Sequence, residues 1–91
     1  MRVKVHFYGQ IRQKAGVEHT DIDLAEGTVL RLAFSALAAR HGEEFGRMVL
    51  EPSGRVHPNL ICLVNDVPAT GDEHVLKDGD GVALFSPVAG G

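Results

Sequence analysis

The sequence predicts a two-layer α+β domain, in which one main helix packs on one face of a sheet. Three observations lead there. Residues 2–8 and 20–24 alternate apolar and polar side chains, residues 29–41 change to a helical period, and two short apolar runs at 60–64 and 82–85 follow between turn signals.

In the first segment Val3, Val5 and Phe7 alternate with Arg2, Lys4, His6 and Tyr8, the period of two of a strand with one buried face. Residues 10–16, ending in Ala15-Gly16, break that pattern. Thr20, Ile22 and Leu24 then alternate with Asp21 and Asp23, so the first two strands are expected to form a hairpin with a long loop. In EGTVLRLAFSALAARHG the period changes, and Val29, Leu32, Ala33, Ala36 and Leu37 fall on one helical face. Thr28 is the expected N-cap, and Gly42 the residue past the helix end, where a left-handed conformation costs glycine little.

Over residues 43–50 the spacing of Phe45, Met48 and Val49 fits either one further helical turn or an apolar plug at the core's edge. Pro52-Ser53-Gly54 signals a turn, and LICLV is short and bounded like a buried strand. After a turn at Asn65-Asp66 and an irregular stretch at 67–74, KDGDG marks a tight turn into the last alternating run, VALF. The order is strand, strand, helix, strand, strand, with no internal repeat and no linker.

At 91 residues, 44% hydrophobic and 23% charged, the chain has material for one core and one domain. Its longest strongly apolar run is too short to cross a bilayer, and MRVKVHF alternates where a secretory leader would be continuously apolar. The single cysteine, Cys62, excludes an internal disulfide framework and fits a reducing compartment, so a cytoplasmic location is expected. A net charge of −3 without a basic cluster offers no electrostatic footprint for nucleic acid or an anionic membrane. A protein with a basic face suits this chain better as a partner.

Few residues suggest chemistry of their own. His6, His19, His41, His57 and His74 lack metal-ligand spacing, and with one cysteine they are expected to be scattered surface histidines with no metal site. Cys62 lies between Ile61 and Leu63, where desolvation would raise its pKa and make it inert. Asp78-Gly79-Asp80-Gly81 lacks the frame and closing glutamate of a calcium loop, and a strand follows where a phosphate cradle would need a helix. Asp21 and Asp23 share a strand face, but nothing encloses them, and solvated strand charges are commoner.

The C-terminal residues are a better candidate. Val88, Ala89, Gly90 and Gly91 carry small side chains, so an enzyme could draw them in extended form down a narrow channel whose walls approach the two glycines closely. Adenylation would make the Gly91 carbonyl attackable, and sulfur attack would leave a thiocarboxylate, a soft nucleophile ionised near neutral pH.

FYGQIRQKAG at 7–16, LVN at 63–65, LKDGDGVALF at 76–85 and the PVAGG end together resemble the MoaD/ThiS family of sulfur carriers, which includes the small subunit of molybdopterin synthase. The resemblance implies a ubiquitin-like β-grasp fold over 1–85, with a mixed sheet whose first and last strands pair in parallel at its centre, and a flexible extended tail over 86–91. It also implies activation by an E1-like adenylating enzyme that uses ATP, sulfur transfer to Gly91 from a persulfide-bearing sulfurtransferase or other donor, and delivery to a synthase large subunit or another sulfur-accepting enzyme. No bound cofactor is expected. The chain would be a carrier and not a catalyst.

By position in the motifs, Tyr8 and Arg12 match the aromatic and the arginine of F-[FY]-x-x-x-R, and Phe85 the aromatic before the tail. These are expected partner contacts, although sheet packing is an equal expectation for the two aromatics. Two departures stand out. Pro68 occupies the position of a second apolar contact in many members, and the longer stretch at 43–58 resembles carriers that feed sulfur to cysteine or other metabolites. Molybdopterin synthesis is the leading destination. Cysteine, thiamine or other metabolite synthesis, and conjugation of Gly91 to target lysines as a ubiquitin-like modifier, remain the alternatives.

Overall fold

The alternating N-terminal segment forms strand β1 (Arg2–Phe7) in the computed structural model, which describes residues 1–86. After it come α1 (Gly9–Ala15), β2 (His19–Asp23), α2 (Leu30–His41), α3 (Glu43–Val49), β3 (Ile61–Val64), β4 (Val67–Pro68) and β5 (Gly81–Phe85). The strands make one mixed sheet in the order β2-β1-β5-β3-β4. Strands β1 and β5 run parallel, with Lys4 opposite Gly81 and Phe7 opposite Leu84, while β1–β2, β5–β3 and β3–β4 are antiparallel. This is the β-grasp arrangement that the resemblance implies.

The core lies between the sheet and the helices. Val3, Val5 and Phe7 of β1 and Val82 and Leu84 of β5 face Ile11, Phe34, Leu37, Phe45 and Val49, all essentially solvent-free. Fully burying an apolar side chain of this size contributes about 1.5–3 kcal/mol. The two central strands and the helix layer therefore hold the domain together.

Four local readings change. Residues 10–16 lie largely in a helix, not a loop: Ile11 is fully buried, and Gly16 at φ 80° closes the helix by donating its N–H to the Arg12 carbonyl at 2.9 Å. Helix α2 starts one residue later than expected, with Val29 as N-cap, and the Thr28 hydroxyl donates to the Ala25 carbonyl at 2.6 Å instead of capping. The N-terminal helix donors find other partners, since the N–H groups of Leu30 and Arg31 donate to the carbonyls of His74 and Asp72 at 2.9 and 3.1 Å.

The buried stripe of α2 is Leu30, Ala33, Phe34 and Leu37, whereas Leu32 is 50% exposed and Ala36 faces solvent. Finally, the stretch at 67–74 begins with the two residues of β4. Of the two readings left open for 43–50, the helical one holds. Gly42, at φ 102°, breaks the chain direction between α2 and α3 so that Phe45 and Val49 turn into the core.

One polar network anchors β5. The Asn65-Asp66 turn takes positive φ at both residues, 52° and 68°, as a two-residue hairpin loop with the matching twist requires. Asn65 then ties this turn to the KDGDG turn: its N–H donates to the Gly81 carbonyl at 2.7 Å, its Nδ2 to Asp80 Oδ1 at 2.9 Å, and its Oδ1 accepts the Gly81 N–H at 2.9 Å. Asp80, buried, also accepts the Lys77 N–H at 2.8 Å. Asn65 of LVN and Asp80 and Gly81 of KDGDG thus lock the strand that leads to the C-terminal residues.

Candidate functional site

Three helices among the described residues cover one face of the sheet, so strand alternation leaves the other face open. On β5, Val82 and Leu84 point into the core and Ala83 and Phe85 do not; on β3, Val64 points in and Ile61 and Leu63 do not. Register places Ile61 opposite Phe85, Leu63 opposite Ala83, and Pro68 opposite Leu63. The strand at 60–64, expected to be buried, is therefore buried on one face only, and Ile61 is 44% exposed. Side chains that are apolar on a face without helices form a surface suited to a partner.

Tyr8 completes this surface. It follows β1, donates its N–H to the Leu84 carbonyl at 3.1 Å, and sits as the N-cap residue of α1. Its ring, in a residue 43% exposed, lies flat on Phe85 with centroids 4.5 Å apart and planes 6° from parallel. The two aromatics singled out in the sequence are thus one stacked unit at the end of β5. Arg12, on α1, is not part of that stack; its guanidinium lies 3.4 Å from the Glu18 carboxylate. Sequence reasoning missed Ile61, Leu63 and Ala83. The signal available was the apolar residue at every position of LICLV, which suits a strand with apolar contacts on both faces.

Ser86, the last described residue, lines a cleft of about 290 Å³ whose walls mix charged and polar side chains, such as Lys14, Arg47 and His57, with apolar Met48 and Leu60. Lys14 pairs with Glu44 at 2.8 Å and Arg47 with Glu43 at 3.6 Å. The chain therefore leaves the sheet between an apolar face and a cleft of mixed polar and apolar lining. The site assignments to Val88, Ala89, Gly90 and Gly91 lie outside the described residues.

The remaining candidates have structural partners. Cys62, opposite core residue Leu84, has its thiol pKa pushed up to about 12 by burial. At pH 8 this lowers the thiolate fraction roughly a thousandfold relative to an ordinary thiol. Iodoacetamide is accordingly expected to alkylate native Cys62 far more slowly than the denatured chain; comparable rates followed by mass spectrometry would contradict this. Asp23 pairs with Arg2 at 3.0 Å, and that hydrogen bond and charge hold its carboxyl below the usual carboxylate range.

His41 departs from the expectation of surface histidines. Its ring packs against Phe7 and Phe45, its Nε2 is buried without a hydrogen-bond partner among the described residues, and burial lowers its pKa. Among the described residues no group of three or more His, Cys, Asp or Glu side chains is placed to hold a metal, and no helix is long and apolar enough to cross a membrane.

Comparison with known proteins agrees with this architecture. The chain is 33% identical over 98 residues to small archaeal modifier protein 3 of Haloferax volcanii, covering 100% of both chains. It is 33% identical over 91 residues to the molybdopterin synthase sulfur carrier subunit of Escherichia coli, covering 98% of this chain and 99% of that one. The crystal structure of SAMP1 from Haloferax volcanii superposes with a TM-score of 0.83 at 24% identity over 100% of both chains, which shows the shared fold. The family model described as ThiS matches residues 5–91. A match over nearly the whole chain, on a β-grasp scaffold with the expected parallel centre, places this protein in the ThiS family of ubiquitin-like sulfur carriers.

Proposed function

We propose that this chain carries sulfur as a thiocarboxylate on Gly91, formed after an E1-like enzyme adenylates that residue with ATP, and that the open apolar face beside β5 docks the enzymes it visits. The Tyr8–Phe85 stack, next to Ile61 and at the point where the chain leaves the sheet, is the observation that carries the docking part. A partner seated there would have the C-terminal residues within reach of its own active site. The flat aromatic pair supplies rigid area at low conformational cost, which is how anchor residues work.

Tyr8→Ala removes half of that stack from a position outside the core. It is expected to weaken binding to a cognate adenylating enzyme by about tenfold or more, the range of an anchor residue, while the melting temperature stays nearly unchanged. Titration calorimetry checks the first statement and a thermal melt the second. Unchanged affinity would remove Tyr8 from the docking surface.

Molybdopterin synthesis is the favoured destination of the sulfur, supported by the Escherichia coli relative that serves as the sulfur carrier subunit of that synthase. In this role the chain supplies the sulfur and a large subunit performs the catalysis. Conjugation to lysines is the second reading, supported by the equally similar small archaeal modifier protein. Both begin from the same acyl-adenylate and differ in the attacking nucleophile. Lysine adducts carrying a Gly-Gly remnant in cell digests would favour conjugation, and abundant thiocarboxylate without such adducts would favour carriage.

A further inference from the structure

Two imidazoles stand side by side on the open sheet face, separate in kind from the apolar docking surface. His6 of β1 and His19 of β2 are directly opposite each other in the antiparallel register. Phe7 donates its N–H to the Glu18 carbonyl at 2.8 Å, so the Phe7–Glu18 pair is hydrogen-bonded and the His6–His19 pair, by alternation, is not. Such pairs bring side chains closest, with Cα atoms about 4.5 Å apart. The rings are 5.6 Å apart between centroids and tilted by 49°, neither stacked nor splayed.

That spacing suits chelation. An ion bound tetrahedrally at ~2.0–2.1 Å from two imidazole nitrogens sets those nitrogens about 3.3 Å apart and the ring centroids about 5 Å apart. The observed centroid separation of 5.6 Å is close to this value. Among the described residues neither imidazole takes part in a hydrogen bond, in contrast to His57 and His74, whose Nδ1 atoms accept the N–H groups of Asn59 and Thr70. On its other side His6, which is half-buried, is register-paired with the short side chain of Ala83. The next pair along the same face, Lys4 opposite Asp21, carries compensating charges.

We propose that His6 and His19 form a two-ligand surface site for a divalent late first-row transition ion, with water at the remaining positions. Imidazole suits zinc, nickel and copper, and two preorganised ligands on paired strands favour chelation over binding by a lone histidine. The spacing rules for metal motifs overlook this pair, because it is sequence register across a hairpin, and not proximity along the chain, that joins the two residues.

The test is calorimetric titration of the full chain with Zn²⁺, run beside His6→Gln, His19→Gln and the double variant, with histidine ring resonances followed by NMR. One ion per chain is expected, with affinity falling about tenfold or more in each single variant and saturable binding lost in the double variant. The ring signals of His6 and His19 should shift together, while thermal melts show the variants folded. No saturable binding by the native chain, binding that survives in the double variant, or shifts confined to His41, His57 or His74 would each overturn the proposal. None of these outcomes depends on whether Gly91 carries sulfur.

Discussion

Deleting Gly91 is expected to leave the domain folded and to abolish sulfur transfer. Among the described residues the core extends to Leu84 and β5 ends at Phe85, and the deletion leaves all of these in place. What changes is reach. Without Gly91 the terminal carboxylate belongs to Gly90 and falls one residue short, about 3.5 Å of extended chain. Since a misplacement near 1 Å can cost on the order of a hundredfold, transfer should drop below detection.

A single-turnover assay with the cognate adenylating enzyme, ATP and a sulfur donor reads the loss, and a thermal melt within a degree or so of the native chain reads the intact fold. Retained transfer by the truncated chain would show that Gly91 is not the carrying residue.

Phe45→Ala is expected to have the largest effect on stability. Phe45 is fully buried and meets Phe7 edge-on at 5.4 Å and His41 at 5.1 Å, tying α3 to the central strand and to the end of α2. Removing a buried aromatic ring costs about 3–5 kcal/mol, a large part of the roughly 5–15 kcal/mol available to a domain of this kind. A drop in melting temperature well beyond ~10 °C should follow. Leu32→Ala is the matched control: at 50% exposure, and facing away from the sheet, it should change stability by no more than about 0.5 kcal/mol. Equal effects from the two substitutions would contradict the placement of α2 and α3.

That pair of residues also shows what was legible beforehand. Strand β1 is legible because its alternation reflects one buried face and one wet face, while residues 29–41 and the final run into Phe85 are legible as elements through their apolar content and flanking turn signals. The parallel pairing of β1 with β5 came from the family resemblance, since nothing local reports a contact between residues so far apart in sequence. The helical period groups Leu32 with Leu37 and leaves out Phe34, because the segment is apolar around much of its circumference and its periodicity cannot select a face. The face of α2 that is buried, with its first N–H groups bonded to the carbonyls of His74 and Asp72, depends on long-range partners that no local pattern reveals.

Helix α1 was missed for a different reason. At seven residues with one buried side chain, Ile11, it has no repeating stripe to detect. The open apolar face is half legible: Tyr8 and Phe85 stand out by motif, but their stacking depends on the parallel register, and Ile61 is hidden inside a run that suits a buried strand equally well. The irregular-looking Asn65 and Asp80 were read only as turn residues. Their network becomes visible once β3 and β5 are adjacent, and it explains why those motifs hold polar residues at the edge of the core.

The central claim is that Gly91 becomes a thiocarboxylate, and intact-mass spectrometry tests it most directly. The full chain is incubated with a cognate E1-like enzyme, ATP and a persulfide donor. A mass gain equal to one oxygen replaced by sulfur, located at Gly91 by fragmentation and absent without ATP, is the predicted result. An unchanged mass under conditions in which the same enzyme thiocarboxylates its known carrier, or sulfur located at Cys62 instead, would contradict it.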